Sequence, residues 1–166
     1  MAILLDEYRE WNTPVVGAYL LWRFSAGYVN ANPRHTPPPF LLHCVVTALL
    51  RGRAYSNAID HSLSLHAFAM RLVKDGYADK LETLHDRVKS FLDYTLQAAD
   101  MAVYRRMLTW DAESASLVPL KIGKVKRGTA ELSKSVQRLG NRAERLGKWM
   151  GPLELSTIAL DLGVKF

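Results

Sequence analysis

Five histidines, one cysteine and a run of lysines and arginines in the last third of the chain are the side chains from which this sequence could build a reactive or binding site. His61 and His66 stand five apart, rather than the three or four that set two metal ligands on one helical turn, and His43 beside Cys44 has no second pair. No metal site is expected. Cys44 sits among Leu41, Leu42, Val45 and Val46, apolar surroundings that raise a thiol's pKa and blunt it as a nucleophile. No base is marked within its reach. Gly123-Lys124 and Gly128-Thr129 look like pieces of a phosphate loop, but the glycine, four residues, Gly-Lys-Ser/Thr order that cradles phosphates is missing. Neither a cofactor nor a catalytic residue is expected, and the chain reads as a non-enzyme.

Charge is more informative. The net charge of +6 is unevenly held: residues 1–120 carry 12 basic and 12 acidic side chains, whereas residues 121–148 carry 9 and 2. A local excess of this kind implies an anionic partner, either an acidic protein surface or the phosphate backbone of nucleic acid. The candidate binding residues are Lys124, Lys126 and Arg127 in a glycine-bracketed loop, and Lys134, Arg138, Arg142, Arg145 and Lys148 beyond it. At 100° per residue the last five share one face of a helix. The opposite face carries Leu132, Val136, Leu139, Ala143, Leu146 and Met150 at spacings of four and three, a buried seam. Arginines at 138, 142 and 145 are therefore expected to point outward. Gly140 and Gly147 cost about 1 kcal/mol each of helix propensity, which implies a close neighbour or a broken helix.

The elements that must hold this helix are mostly helical too. At 166 residues the chain suits one domain, with a helical lobe over 1–106 and a hairpin plus two closing helices over 107–166. Asn12-Thr13-Pro14 is a helix start, and Val15 to Val29 is apolar nearly all round, the mark of a helix buried on most faces or shared with a partner. The prolines at 33, 37, 38 and 39 end it. Phe40 to Leu50 fits a buried helix better than a strand, Asn57 to Val73 continues in near-helical spacing, and a long helix is expected from Ala78 to about Arg106 through Leu81, Leu84, Val88, Phe91, Leu92, Thr95, Ala99 and Val103. Met107 to Trp110 and Leu117 to Leu120 flank a polar turn and pair as a short hairpin, with Pro119 at an edge. Gly151-Pro152 separates the last two helices and Gly163 stops the final one. A single cysteine fits a reducing cytosol, the first ten residues lack the pattern of a signal peptide, and no apolar run reaches the length of a membrane span.

Leu155 to Val164 resembles the first helix and turn of a helix-turn-helix, but the recognition helix would fall beyond Phe166, so base-specific reading by this motif is not expected. Sequence-blind phosphate contact by the basic residues stays open.

Several stretches together resemble the middle components of bacterial three-component ABC systems. These are the apolar first helix ending Gly27-Tyr28, the proline-rich link into Phe40 to Leu50, the segment Ser62 to Leu72, the helix-then-hairpin order of residues 88 to 120, and the closing Arg145 to Met150, Ile158-Ala159 and Leu162 to Phe166. The resemblance runs from about Trp11 to Phe166. It implies a non-catalytic adaptor that couples an ABC-type ATPase to an effector protein of the same operon in anti-phage or conflict defence, and a winged-helix-like order in the C-terminal half. A stand-alone nucleic-acid-binding regulator is the rival reading.

Overall fold

The computed structural model describes residues 13–121 and 132–166. Helix α1 (Pro14–Ala31) starts where Thr13 caps it: the threonine hydroxyl accepts the Val16 N–H at 3.4 Å and proline fills the first turn. It ends at Asn32, whose backbone N–H bonds Tyr28 O at 2.8 Å and whose amide donates to Gly151 O at 2.9 Å. The proline-rich link then delivers α2 (Phe40–Leu50), in which every residue from Leu42 to Leu50 is buried. A helix enclosed along nearly its whole length has no amphipathic period, which is why its apolar run also allows a strand although a helix fits it better.

The segment from Asn57 to Val73 is two helices, α3 (Arg53–Asp60) and α4 (Leu65–Lys74), rather than one. Ser64 makes the division by capping α4 through a 3.1 Å bond from the Ala67 N–H. Leu63 is 94% exposed in the intervening turn.

The long helix expected over 78–106 is likewise divided, into α5 (Ala78–Glu82), α6 (Leu84–Ser90) and α7 (Leu92–Tyr104). Backbone bonds carry across both joints, Arg87 N–H to Thr83 O at 3.1 Å and Thr95 N–H to Phe91 O at 2.9 Å, so these are bends and not gaps. Thr83 and Phe91 flatten to ψ near zero there, which lets Leu84 enter one core while Ala98 and Ala102 reach another.

Strands β1 (Leu108–Asp111) and β2 (Ser116–Pro119) pair antiparallel with Leu108 opposite Pro119 and Asp111 opposite Ser116. The Asp111 carboxylate closes the turn by accepting from the Ser114 hydroxyl at 2.6 Å and the Glu113 N–H at 3.1 Å. Ser133 caps α8 (Lys134–Met150), and α9 (Leu155–Leu162) ends at Gly163 in the left-handed region at φ 65°. Nine helices and one hairpin thus make up the described residues.

Helix α1 is the axis of the whole. Its Leu20, Phe24 and Tyr28 join α2, α3, α4, Leu84, α8 and α9 in the larger core, while Ala18 and Leu21 meet Ala98, Ala99, Ala102, Leu108 and Leu117 in a smaller one. The hairpin packs in the smaller cluster and the closing helices in the larger, with α1 contributing to both. Residues before and after 107 are interleaved in a single domain, since α8 lies along α1. The apolar girth of α1 is taken up by its own chain.

Candidate partner-binding surfaces

Small residues set how α8 sits. A Cβ on Gly147 would lie 2.3 Å from Phe24 O and 2.7 Å from Tyr28 N, and one on Gly27 would lie 2.5 Å from Glu144 O. The two backbones touch where these glycines cross, which answers the question their helix cost raised: a close neighbour and an unbroken helix. Of the six seam residues, Val136, Leu139, Ala143, Leu146 and Met150 are buried, whereas Leu132 precedes the helix and is 46% exposed.

That crossing draws one residue of the basic face, Arg142, partly inward and leaves Lys134, Arg138, Arg145 and Lys148 exposed. Arg142 forks onto Asp60 of α3, its Nε donating to Oδ1 at 2.9 Å and an Nη to Oδ2 at 2.6 Å, with the arginine side chain only 15% exposed. Arg145 donates to the Ile59 and Asp60 carbonyls at 3.0 and 3.2 Å, satisfying the C-terminal end of α3. Lys148 pairs with Glu144 at 2.6 Å, and Glu144 also takes Arg23 of α1. The expectation of an outward-facing side chain is thus corrected for Arg142, which turns onto the acid of α3; Arg145 stays exposed, as expected, while its guanidinium reaches the carbonyls at the end of α3. Lys134 and Arg138 are exposed and carry no ion pair among the described residues. Lys124, Lys126 and Arg127 lie outside the described residues.

The hydrogen bond from Arg142, and beyond it the Arg142 and Arg145 charges, hold the Asp60 carboxyl below its ordinary value. Arg142→Ala is expected to cost about 1 kcal/mol and Arg138→Ala less than about 0.5 kcal/mol. Urea midpoints of the two variants check this, and equal midpoints would mean that Arg142 does no clamping.

A pairing that sequence spacing could not reveal joins α1 to α2. Ser25 Oγ lies 2.7 Å from His43 Nε2, and His43 Nδ1 is 3.3 Å from Pro39 O. Because that carbonyl can only accept, Nδ1 carries the proton and Nε2 accepts from the serine. A serine bonded to a histidine is the beginning of a nucleophile, but both residues are 0% exposed, with the His43 ring between Phe24 and Phe40. Burial, only partly offset by the Pro39 and Phe40 backbone bonds, lowers His43 to about 4. Its unfolded value is near 6.5, so the stabilisation tied to a neutral His43 is complete above pH 6.5 and is lost as the pH falls towards 4. The loss is expected to reach about 3 kcal/mol. Urea titrations at a series of pH values should show this fall, and His43→Gln should flatten that part of the profile. Cys44, also buried, is raised to about 11 by desolvation.

Two surfaces instead carry large apolar side chains into solvent. On α4 and the turn before it these are Leu63, Met70 and Val73, beside a groove of about 650 Å³. On α7 and β1 they are Leu96, Val103 and Trp110, beside a second groove of about 300 Å³. Isolated exposed leucines are ordinary, whereas grouped ones beside a groove mark contact surfaces. The sequence did hold a signal for the first: between Leu65 and Val73 only His66 and Arg71 are not apolar, too many apolar residues for one buried stripe.

Among the described residues no three histidine, cysteine, aspartate or glutamate side chains gather as metal ligands, and no helix is long and apolar enough to cross a membrane. No curated protein and no solved structure matches the chain. The family model of the ABC-three component (ABC-3C) system Middle Component 3 matches residues 1–166, and the chain, with its apolar faces turned to solvent, belongs to that family of middle components.

Proposed function

We propose that this middle component is a non-catalytic adaptor of the cytoplasm. It couples an ABC-type ATPase to an effector protein of the same operon in bacterial anti-phage or conflict defence. The observation that carries this reading is the pair of exposed apolar faces on different parts of the molecule, one on α4 and one on α7 with the hairpin. A protein that holds two unlike partners at once needs two separate surfaces of this kind, and a lone regulator needs neither. Membership in a family of system components supports the existence of partners. The enclosure of Ser25 and His43 supports a role without catalysis, since no substrate reaches a pair at zero exposure. Lys134 and Arg138 add a small basic patch for an acidic partner surface or for the DNA backbone.

Co-expression with the ATPase and effector tests the proposal. A tagged chain should recover both, in one complex by size-exclusion chromatography. A chain that purifies alone, and that shifts DNA with an affinity falling steeply in salt, would instead make it the stand-alone regulator.

A further inference from the structure

We propose that the groove along α4 receives an acidic amphipathic helix of a partner component, its apolar side chains on Leu63, Met70 and Val73 and a carboxylate on Arg71 and Ser62. This rests on the adaptor reading above and names the chemistry of one of its two contacts. The apolar half of the argument is exposure: Leu63 is 94%, Met70 56% and Val73 50% exposed, all beside one groove.

The polar half is a pair of groups with nothing to bond. Ser62 and Arg71 line the same groove, and their Oγ and Nε atoms are buried with no hydrogen-bond partner among the described residues. Ser62 is only 5% exposed. Buried donors that go unpaired are costly, and a turn of either side chain toward the groove would let an incoming acceptor satisfy it. An acceptor that also meets the charge of Arg71 and of Lys74 one turn along is a carboxylate. A second copy of this chain fits poorly, because pairing two such grooves would set like charges face to face.

The shape selects a helix. Ala67, Met70, Arg71 and Lys74 follow the three-and-four spacing of one helical ridge, and Ala67 leaves a shallow point in it where another backbone can approach. The ten residues of α4 span about 15 Å, room for roughly three turns of a partner read at its own i, i+3, i+4 and i+7 positions.

The test uses the full chain co-expressed with the ATPase and effector. Leu63→Asp with Met70→Asp should cut recovery of one of the two partners about tenfold or more. The melting temperature should stay within about 2 °C, because both side chains already stand in water. Lys74→Glu should weaken the same partner. A photo-crosslinking residue at position 63 should label a segment of that partner with apolar residues at helical spacing and aspartate or glutamate between them. Undiminished recovery of both partners by the double-aspartate variant overturns the groove assignment while leaving the adaptor reading in place. Labelling of a basic segment, of this chain's own residues or of a second copy also overturns it. A wild-type chain that recovers neither partner overturns both.

Discussion

Leu146→Asp is expected to leave the chain without its native fold. Leu146 is 0% exposed in the larger core, on the face of α8 that packs against α1. The substitution removes a buried leucine, which costs about 2–5 kcal/mol. It also puts a carboxylate where no cation waits, because Arg142 and Arg145 on the same helix are committed to α3. Burying an unpaired charge adds several kcal/mol more, or forces the helix off its seat. The sum is on the order of a whole domain's margin of about 5–15 kcal/mol. Circular dichroism should show loss of the cooperative melt, whereas Leu160→Asp, at a site 84% exposed on α9, should melt as the parent does. A cooperative Leu146→Asp melt near the parent temperature would mean that α8 is not part of the core.

Gly147→Ala and Gly140→Ala are expected to part company, although both place a methyl on the same helix seven residues apart. At Gly147 the new Cβ meets Phe24 O at 2.3 Å and Tyr28 N at 2.7 Å, backbone atoms of α1 that yield only if the two helices separate. Overpacking against a rigid neighbour costs about 1–3 kcal/mol and occasionally more, and moving α1 disturbs both core clusters at once. Net of the helix propensity that alanine gains, about 1 kcal/mol, Gly147→Ala should still lose about 2 kcal/mol. At Gly140 the nearest atom is the Tyr19 hydroxyl at 2.6 Å, the far end of a half-buried side chain whose tie is a 3.0 Å bond from Arg23. That ring can swing aside, so Gly140→Ala should come within about 1 kcal/mol of the parent, the propensity gain offsetting the lost bond. Denaturant midpoints decide it. Equal losses at the two sites would show that α8 lies farther from α1 than the glycine crossing requires.

The side chains of α7 show how far a sequence pattern reaches and where it stops. Leu92 and Val103 read as core because they are large and apolar at helical spacing, yet they are 42% and 41% exposed, and the buried face is Thr95, Ala98, Ala99 and Ala102. The reason is the neighbour: a Cβ on Gly17 of α1 would lie 2.7 Å from the Ala98 Cβ, so the two helices come too close for anything but small residues between them. Hydrophobicity says that a residue gains by burial, but the distance between axes decides which residue fits. The basic face of α8 repeats the lesson. Its helical phase was legible, and five of the six seam residues are buried. Nothing in the spacing of Arg142 and Arg145 could show that α3 would bring Asp60 and two free carbonyls to meet them.

By itself, then, the sequence determined the features that depend on near neighbours along the chain. These include the capped start at Thr13, the enclosed helix after the prolines, the hairpin around Asp111, the seam of α8 and the left-handed stop at Gly163. The resemblance carried by its closing segment also pointed to the middle-component family. Only the tertiary structure decided which charges remain for a partner, which apolar residues stay in water and where the long helical stretch bends. Those outcomes depend on residues about eighty positions apart meeting across α1 and α3, as Asp60 meets Arg142. A local period records the direction a side chain takes from its own helix, but not what the fold has put there to receive it.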